Sequence, residues 1–429
     1  MNTSISRALA WRVLACTLAG CVACGGLQAA PVPAVQDLAH QEQQPLLDTL
    51  RDLVLIESGS GDVEGLAKIA ALIADRLRQL GGKVEVLEPV DVYRMQDTPA
   101  KTGAMVRAEW QGTGTKKVLL IAHMDTVYLR GMLKDQPFRV DGDRAYGLGI
   151  ADDKQGIALI LHTVAMLNKL GFKDYATLTV LVNGDEEISS PGSRSTISLV
   201  ASTQDAVFSF EGSGSDGGLR LATSGIGSAY LTVEGRSSHA GARPEGGINA
   251  LYELAHQILQ LKDLSQNDKG LKLNWTVAQA GTNRNVIPAR ATAQADARAL
   301  RVADFDQLQA ALQHRVQSKL LPDAKVQLKF EVRRPPLEPT VASRRLAARG
   351  QAIYDELGMP MQIAEVATGG GTDAAFAALQ TRGAVVEGFG LSGFGAHSND
   401  AEYVQIGSIV PRLYLATRLV MDIGQDKLR

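Results

Sequence analysis

From Gln36 onward the apolar positions change period several times, and each change predicts an element. In "LLDTLRDLVLI" and "VEGLAKIAALIADRLRQLGG" apolar residues recur at three- and four-residue steps. That spacing predicts two amphipathic helices, the second stopping at Gly81-Gly82. "KVEVLEPV" and "AMVRAEW" alternate as half-exposed strands do. "KKVLLIAHMDTV" and "ATLTVLVNGDEE" are instead unbroken apolar runs ending in polar residues. Such runs predict strands buried on both faces of a parallel or mixed sheet. A loop and helix, "IADDKQGIALILHTVAMLNKLG", separate them. The order predicts an α/β fold, a mixed central sheet flanked by helices, with ligands at the carboxyl ends of the strands.

After Thr223 the texture changes. "GSAYLTVEG", the helical "NALYELAHQILQLKDL", "LKLNWTVAQAG", "ATAQADARAL", the helical "VADFDQLQAALQHRVQSKL" and "KVQLKFEVRR" follow one another. This β-α-β-β-α-β order predicts an inserted α+β sandwich of the split βαβ, ferredoxin-like kind. "RRPPLEPT" ends it, since proline interrupts both helix and sheet. A helix over 341–357, the loop "ATGGGTDAAFAAL", the strand "GAVVEGFG" and a last helix after Ile406 then return to the first unit. The expected organisation is one domain in two parts, 31–223 and 336–429, with an inserted domain over 224–335.

Residues 1–30 follow neither pattern. Arg7 and Arg12 precede a short apolar run and then small residues, which predicts an export signal too short to span a membrane. Two processing routes are open. Leu27-Gln28-Ala29 suits ordinary cleavage, and Leu18-Ala19-Gly20-Cys21 suits a lipobox that would make Cys21 a lipid anchor. Both predict an exported protein, periplasmic, secreted or membrane-anchored. All three cysteines lie in this segment, so the mature chain has no disulfide and no thiolate to hold metal or attack a substrate. With 44 Lys+Arg against 46 Asp+Glu, the chain offers no excess charge to draw nucleic acid.

The chemistry-bearing residues cluster at presumed strand ends. His123 in "IAHMDTV" has Asp125 two positions on, so both side chains project to the same side of an extended segment. A carboxylate beside an imidazole can fix its tautomer and strengthen it as a metal ligand. "GLGIADDKQG" brings Asp152 to a helix start, "NGDEE" ends in Glu186 and Glu187, and "VFSFEGSG" carries Glu211. His397 lies in "FGAHSNDAEYV". Singly, each has an ordinary explanation: helix capping, an acidic surface loop, a structural histidine. Together they deliver His, Asp, Glu, Glu and His to one rim of the expected sheet.

With "HMDTV", "GLGIADDKQG", "NGDEE", "SFE", "SSHAGARPEGGINA", "TGGGTDAA" and "GFGAHSNDAEYV" in this order, the chain resembles the M20 family of two-zinc peptidases. The likeness runs from about Gln36 to Asp422 and is nearest to the bacterial glutamate carboxypeptidases of the carboxypeptidase G type. It implies two zinc ions per chain, with cobalt or manganese as substitutes. His123 and Glu211 would hold one, His397 and Glu187 the other, and Asp152 would bridge them. Glu186 would be the general base, with Asp125 orienting His123. The resemblance also implies a cis peptide between Asp152 and Asp153, and it leaves Asp185 a turn-supporting role. His239 would stabilise an oxyanion, and Asn285, Arg298, Arg334 and Gly371 would contact substrate, Arg298 gripping a terminal carboxylate with its two-pronged guanidinium.

The implied activity is zinc-dependent removal of a C-terminal amino acid, glutamate above others, from peptides or folate-type substrates, by a homodimer. One departure weakens the glutamate expectation. Folate-cleaving relatives have a lysine after the metal-binding glutamate. Here "GSGSDGGLRLATSG" is one residue shorter, has Gly218 near that place, and has Arg220 nearby but expected to point elsewhere. A dipeptidase or an N-acyl amino acid deacylase would keep the chemistry with another substrate. An exported zinc-binding protein without turnover would keep only the fold.

Overall fold

The strand Lys117–His123 shows why unbroken apolar runs build the centre of this protein. Val118, Leu120 and Ala122 enter one core, while Leu119 and Ile121 enter a second core on the opposite face. Both faces of the strand are therefore covered, each fully buried Val or Leu contributing about 1.5–3 kcal/mol. The computed structural model describes residues 30–398 and 401–428. The expected export segment, with Cys21 and Leu27–Ala29, lies outside the described residues. No helix among the described residues is long and apolar enough to cross a membrane.

Six strands form the central sheet, in the order Lys83–Leu87, Met105–Gln111, Thr177–Asn183, Lys117–His123, Ala206–Ser209, Ala384–Val386. The first two junctions are antiparallel and the other three parallel, so the sheet is mixed as the sequence predicts. His123 pairs with Asn183 in register. The strands carrying "HMD" and "NGDEE" thus end at the same height, and Ala206–Ser209 ends beside them. Helices Pro33–Val54, Val63–Gln79, Gln155–Lys169, Val341–Glu356 and Ile409–Gly424 pack on the face of the larger core. The short helices Arg194–Ala201 and Ala374–Ala378 cover the other.

Residues 225–334 form a separate antiparallel sheet, ordered Lys272–Ala280, Arg290–Ala299, Gly225–Glu234, Lys325–Arg334. Helices Ala250–Leu261 and Val302–Arg315 fill one face through Leu254, Leu261, Phe305, Leu308 and Leu312. Gly225–Glu234 buries every second residue, as a strand with one covered face must.

A four-stranded sheet near the site is not legible in the sequence. Arg139–Asp141, Arg144–Tyr146, Gly393–Phe394 and Tyr403–Gln405 pair into four strands near the site. They are too short and polar to show a period. Cations over rings help hold them, Arg139 at 3.7 Å from the Tyr146 centroid and Arg144 at 4.3 Å from that of Tyr403.

Candidate metal centre

The register of the central sheet sets the first half of the site. His123 is the last residue of its strand and is buried. Its Nδ1 faces Asp125, 3.3 Å from Oδ1 and 3.1 Å from the backbone oxygen. Its Nε2 points the other way, 3.0 Å from Asp152 Oδ1 and 3.4 Å from Glu211 Oε1. Asp125 has further partners. It accepts hydrogen bonds from Ser60 Oγ at 2.7 Å and from the backbone N–H groups of Glu186 and Glu187 at 3.0 and 3.1 Å. The carboxylate that orients the imidazole therefore also holds the acidic loop in place.

Asp152 follows a glycine turn, Gly149 at φ +68°, and precedes the helix Gln155–Lys169. The peptide between Asp152 and Asp153 is cis. Glu402, buried, accepts from the backbone N–H groups of Gly149, Ala151 and Asp152 at 3.1, 2.8 and 3.3 Å, and from the Tyr128 hydroxyl. No local pattern in the sequence marks this clamp; its only trace is an acid in "NDAEYV". The other Asp152 oxygen, Oδ2, lies 3.2 Å from His397 Nε2, and Glu187 Oε2 lies at the same distance from that nitrogen. His397 has a left-handed backbone, φ +63°, in the loop between Gly393–Phe394 and Tyr403–Gln405. One carboxylate thus reaches two imidazoles from separate segments.

Five side chains expected to meet do so. Atoms of Asp152, Glu187 and His397 lie within 4.8 Å of one another, and so do atoms of His123, Glu186 and Glu211. Glu186 in the second group has another commitment: its Oε1 is 2.7 Å from Arg334 Nη1. Asp152, at 3.0 Å from His123, joins the two groups. The electrostatics call for cations. Burial, with Asp152 beside it, pushes Glu187 up to about 7, and the same two causes raise Glu211. Burial also acts to raise Asp152, but His123 and His397 outweigh it and hold the carboxylate below its usual range. Hydrogen bonding to the carboxylates of Asp152 and Glu187 lifts His397 to about 11. Three converging carboxylates and two imidazoles, with no thiolate, suit borderline divalent metals such as zinc, so the residues fit a metal pair.

The outer residues depart from expectation in three places. Arg334 does not open onto the cleft. It is buried behind Glu186, with Nη1 2.9 Å from Asp373 Oδ1 and Nη2 donating to the Glu186 backbone oxygen at 2.7 Å. Asp373 in turn accepts from Asn183 at 2.7 Å and from Ser190. An arginine before Pro335 carries no sequence mark of such a partner. Gly371 is not open either: a Cβ there would fall 2.6 Å from the Ser224 oxygen and 3.1 Å from Arg334 Cδ. Its lack of a side chain lets the glycine loop pack on the chain entering the second sheet. Arg220 was expected to point away and instead lines the cavity that holds Asp152 and Glu211.

His239, Asn285 and Arg298 lie on the second sheet's side. None forms a hydrogen bond or ion pair with the metal-type cluster among the described residues. His239 pairs with Val286, beside Asn285. Its Nδ1 accepts from the N–H groups of Gly241 and Ala242 at 3.1 and 3.0 Å, which leaves Nε2 as the donor. Arg298 Nη1 donates to the Gly369 oxygen at 3.1 Å, a tie between the second sheet and the glycine loop. Asp185 supports its turn, accepting from Gly192 N–H at 2.6 Å and from Ser193.

Residues 119–422 match peptidase family M20/M25/M40. The chain belongs to this family. It is 45% identical over 390 residues to carboxypeptidase G2 of Pseudomonas sp. (strain RS-16), covering 91% of this chain and 92% of that one. A tripeptidase from Staphylococcus aureus shares the fold at TM-score 0.72 and 19% identity, covering 89% of this chain and 99% of that one. An M20 family metallo-carboxypeptidase from Sulfolobus solfataricus does so at TM-score 0.70 and 16% identity, covering 88% and 98%. This M20 member is a metal-dependent hydrolase of the carboxypeptidase kind, an exopeptidase acting on amide bonds.

Asp125 gives a direct test of the site within this M20 chain. Asp125→Ala is expected to weaken metal retention about 10- to 100-fold, the usual cost of losing the partner behind a ligand imidazole. Titration against a competing chelator reads it. Retention equal to that of the unaltered protein would mean that His123 needs no such partner.

Proposed function

We propose that this chain is an exported two-zinc carboxypeptidase that releases a C-terminal residue, glutamate by preference, from N-acyl amino acids or small peptides. The observation that carries the reading is the Asp152 carboxylate, with one oxygen on His123 and the other on His397. His123, Glu211 and Asp152 would hold one ion, and His397, Glu187 and Asp152 the other. When bound, such a pair would polarise the scissile carbonyl and acidify water.

The chain's own residues would do the rest. Glu186, at the rim of the pair, would accept a proton from the attacking water and pass it to the leaving nitrogen. Burial raises its pKa well above the ordinary carboxylate range, against the opposing pull of Arg334, which suits a group that must both take and return a proton. His239, with Nε2 free to donate, would stabilise the oxyanion when the second sheet closes over the cleft. Asn285 and Arg298 would then meet the substrate's terminal carboxylate. We place the inserted domain over 224–335 between the two parts of the catalytic domain, 31–223 and 336–429. Its hinges lie near Ser224 and Arg334, and its outer strands and helices are the surface on which a homodimer would form. Export follows from the N-terminal segment, with a lipid anchor at Cys21 as the alternative to release.

A release screen on the zinc-loaded mature protein tests this reading, with folate-type substrates, N-acyl-glutamate and simple dipeptides side by side. Release of C-terminal glutamate ahead of the others is the expected result. Preference for dipeptides with a free amino terminus would make it a dipeptidase, and no hydrolysis of any amide would leave a metal-binding protein. Chelation is expected to abolish turnover and lower the melting temperature, with zinc restoring both, because a ligand bound only by the folded state stabilises it by about 2.7 kcal/mol at a hundredfold excess over Kd. Unchanged melting after the metal is shown to be gone would remove it from the folding balance.

A further inference from the structure

The segment after Glu211 carries a cation whose purpose neither the metal site nor the fold explains. Leu219 and Leu221 are fully buried in the larger core. Extended backbone alternates, so Arg220 between them faces the other way, into the cavity of about 510 Å³ that Asp152, Glu211, Thr372 and Glu387 also line. The strand is fixed there on two sides. It pairs with Ile363–Ala364, and Arg220 exchanges both backbone hydrogen bonds with Glu387 at 2.9 Å.

The guanidinium lies among glycines. Nη1 donates to the Gly212 oxygen at 2.8 Å. A Cβ at Gly214 would stand 2.6 Å from Nη2, and one at Gly388 would stand 3.2 Å from Nη1. Side chains at these two positions would crowd the fork. Arg220 forms no ion pair among the described residues, and that one bond occupies one of five guanidinium donors. The carboxyl opposite is Glu387, which accepts from Thr372 Oγ1 at 2.8 Å. Burial, with Glu211 nearby, pushes it up to about 8, so it offers little compensating charge. Asp216 also lines the cavity, but its Oδ1 accepts from the Gly218 N–H at 3.2 Å and it forms no ion pair with Arg220 among the described residues, while Asp152 and Glu211 are committed to the imidazoles and to the cations their convergence calls for. A cation with open donors, in the cavity where the reacting bond must lie, is a carboxylate receptor.

We propose that Arg220 selects an acidic released residue by binding the side-chain carboxylate of the substrate's C-terminal amino acid. The assignment rests on the carboxypeptidase reading above. It gives Arg298 and Arg220 separate duties, the first toward the terminal carboxylate and the second toward the side chain.

The test is a ratio of kcat/KM values, N-benzoyl-glutamate over N-benzoyl-glutamine, on the zinc-loaded full-length enzyme. The two substrates have the same shape and differ in charge. Arg220→Gln, which keeps length and a donor for Gly212, and Arg220→Ala are expected to lower the ratio by about 100-fold, the scale for truncating one partner of a desolvated charge pair. Arg220→Lys should recover most of it. The inhibition constant of free glutamate, measured with the glutamine substrate, should rise in parallel. A ratio unchanged in Arg220→Gln overturns the assignment while the carboxypeptidase reading stands. So does an Arg220→Lys ratio no better than that of Arg220→Gln. A native enzyme that hydrolyses neither substrate defeats both readings together, and native activity toward both separates the two failures. Melting temperature and metal content of each variant, equal to those of the native protein, show that the ratio reports recognition.

Discussion

Glu186→Gln is expected to lower kcat by about 10³-fold or more while metal content stays at the native level, since general acid–base groups contribute about 10²–10⁴-fold. Glutamine keeps the size of the side chain and an oxygen for Arg334 at the 2.7 Å contact. What it loses is the ability to carry a proton. Glu186 is buried, and its backbone N–H is pinned by Asp125, so no other residue can readily swing into its place. Glu187, one position on, faces His397 and is engaged there. Kinetics with an N-acyl-glutamate and metal analysis on the same preparation check the prediction. Activity within tenfold of native would take Glu186 out of proton transfer. Lost activity together with lost metal would make it a ligand.

Arg334→Met is expected to destabilise the metal-loaded protein by about 3–5 kcal/mol, the usual cost of removing one partner of a buried ion pair. Arg334 is almost fully buried, and both its carboxylate partners, Glu186 and Asp373, are buried with it. Methionine fills most of the space but leaves two acids facing each other without a cation. Asp373 is further bonded to Asn183 and Ser190, so the strain would reach the end of the Thr177–Asn183 strand and the acidic loop itself. Denaturant unfolding of the variant reads the loss. The double variant Arg334→Met with Asp373→Asn should regain part of it, because one of the stranded charges is then gone. A loss under about 1 kcal/mol would place the group in the range of solvated surface pairs instead.

The central strands and the amphipathic helices were legible because one physical rule, burial of apolar area, writes a period into the chain. The β-α-β-β-α-β unit was legible for the same reason, its strands Gly225–Glu234 and Arg290–Ala299 burying alternate residues. The three-residue strands Arg139–Asp141 and Arg144–Tyr146 were not, since cation–ring contacts and pairing hold them with little burial. At the site, His123 with Asp125 was readable as a local pair, and the acids at strand ends as a group. Glu402, Asp373 and the true setting of Arg334 were not, because their partners lie far off in sequence: 274 positions for Glu402 with Tyr128 and 253 with Gly149, 183 for Asp373 with Ser190, 148 for Arg334 with Glu186.

By itself the sequence determined the sheet, the inserted unit and the kinds of side chain that gather at the strand ends, since each follows from local period and composition. Only the tertiary structure decided which oxygen of Asp152 meets which imidazole, that Arg334 stands behind Glu186, and that Arg220 faces the cavity. These depend on distances of a few ångströms between segments that the chain keeps far apart, and packing sets such distances where no local pattern records them.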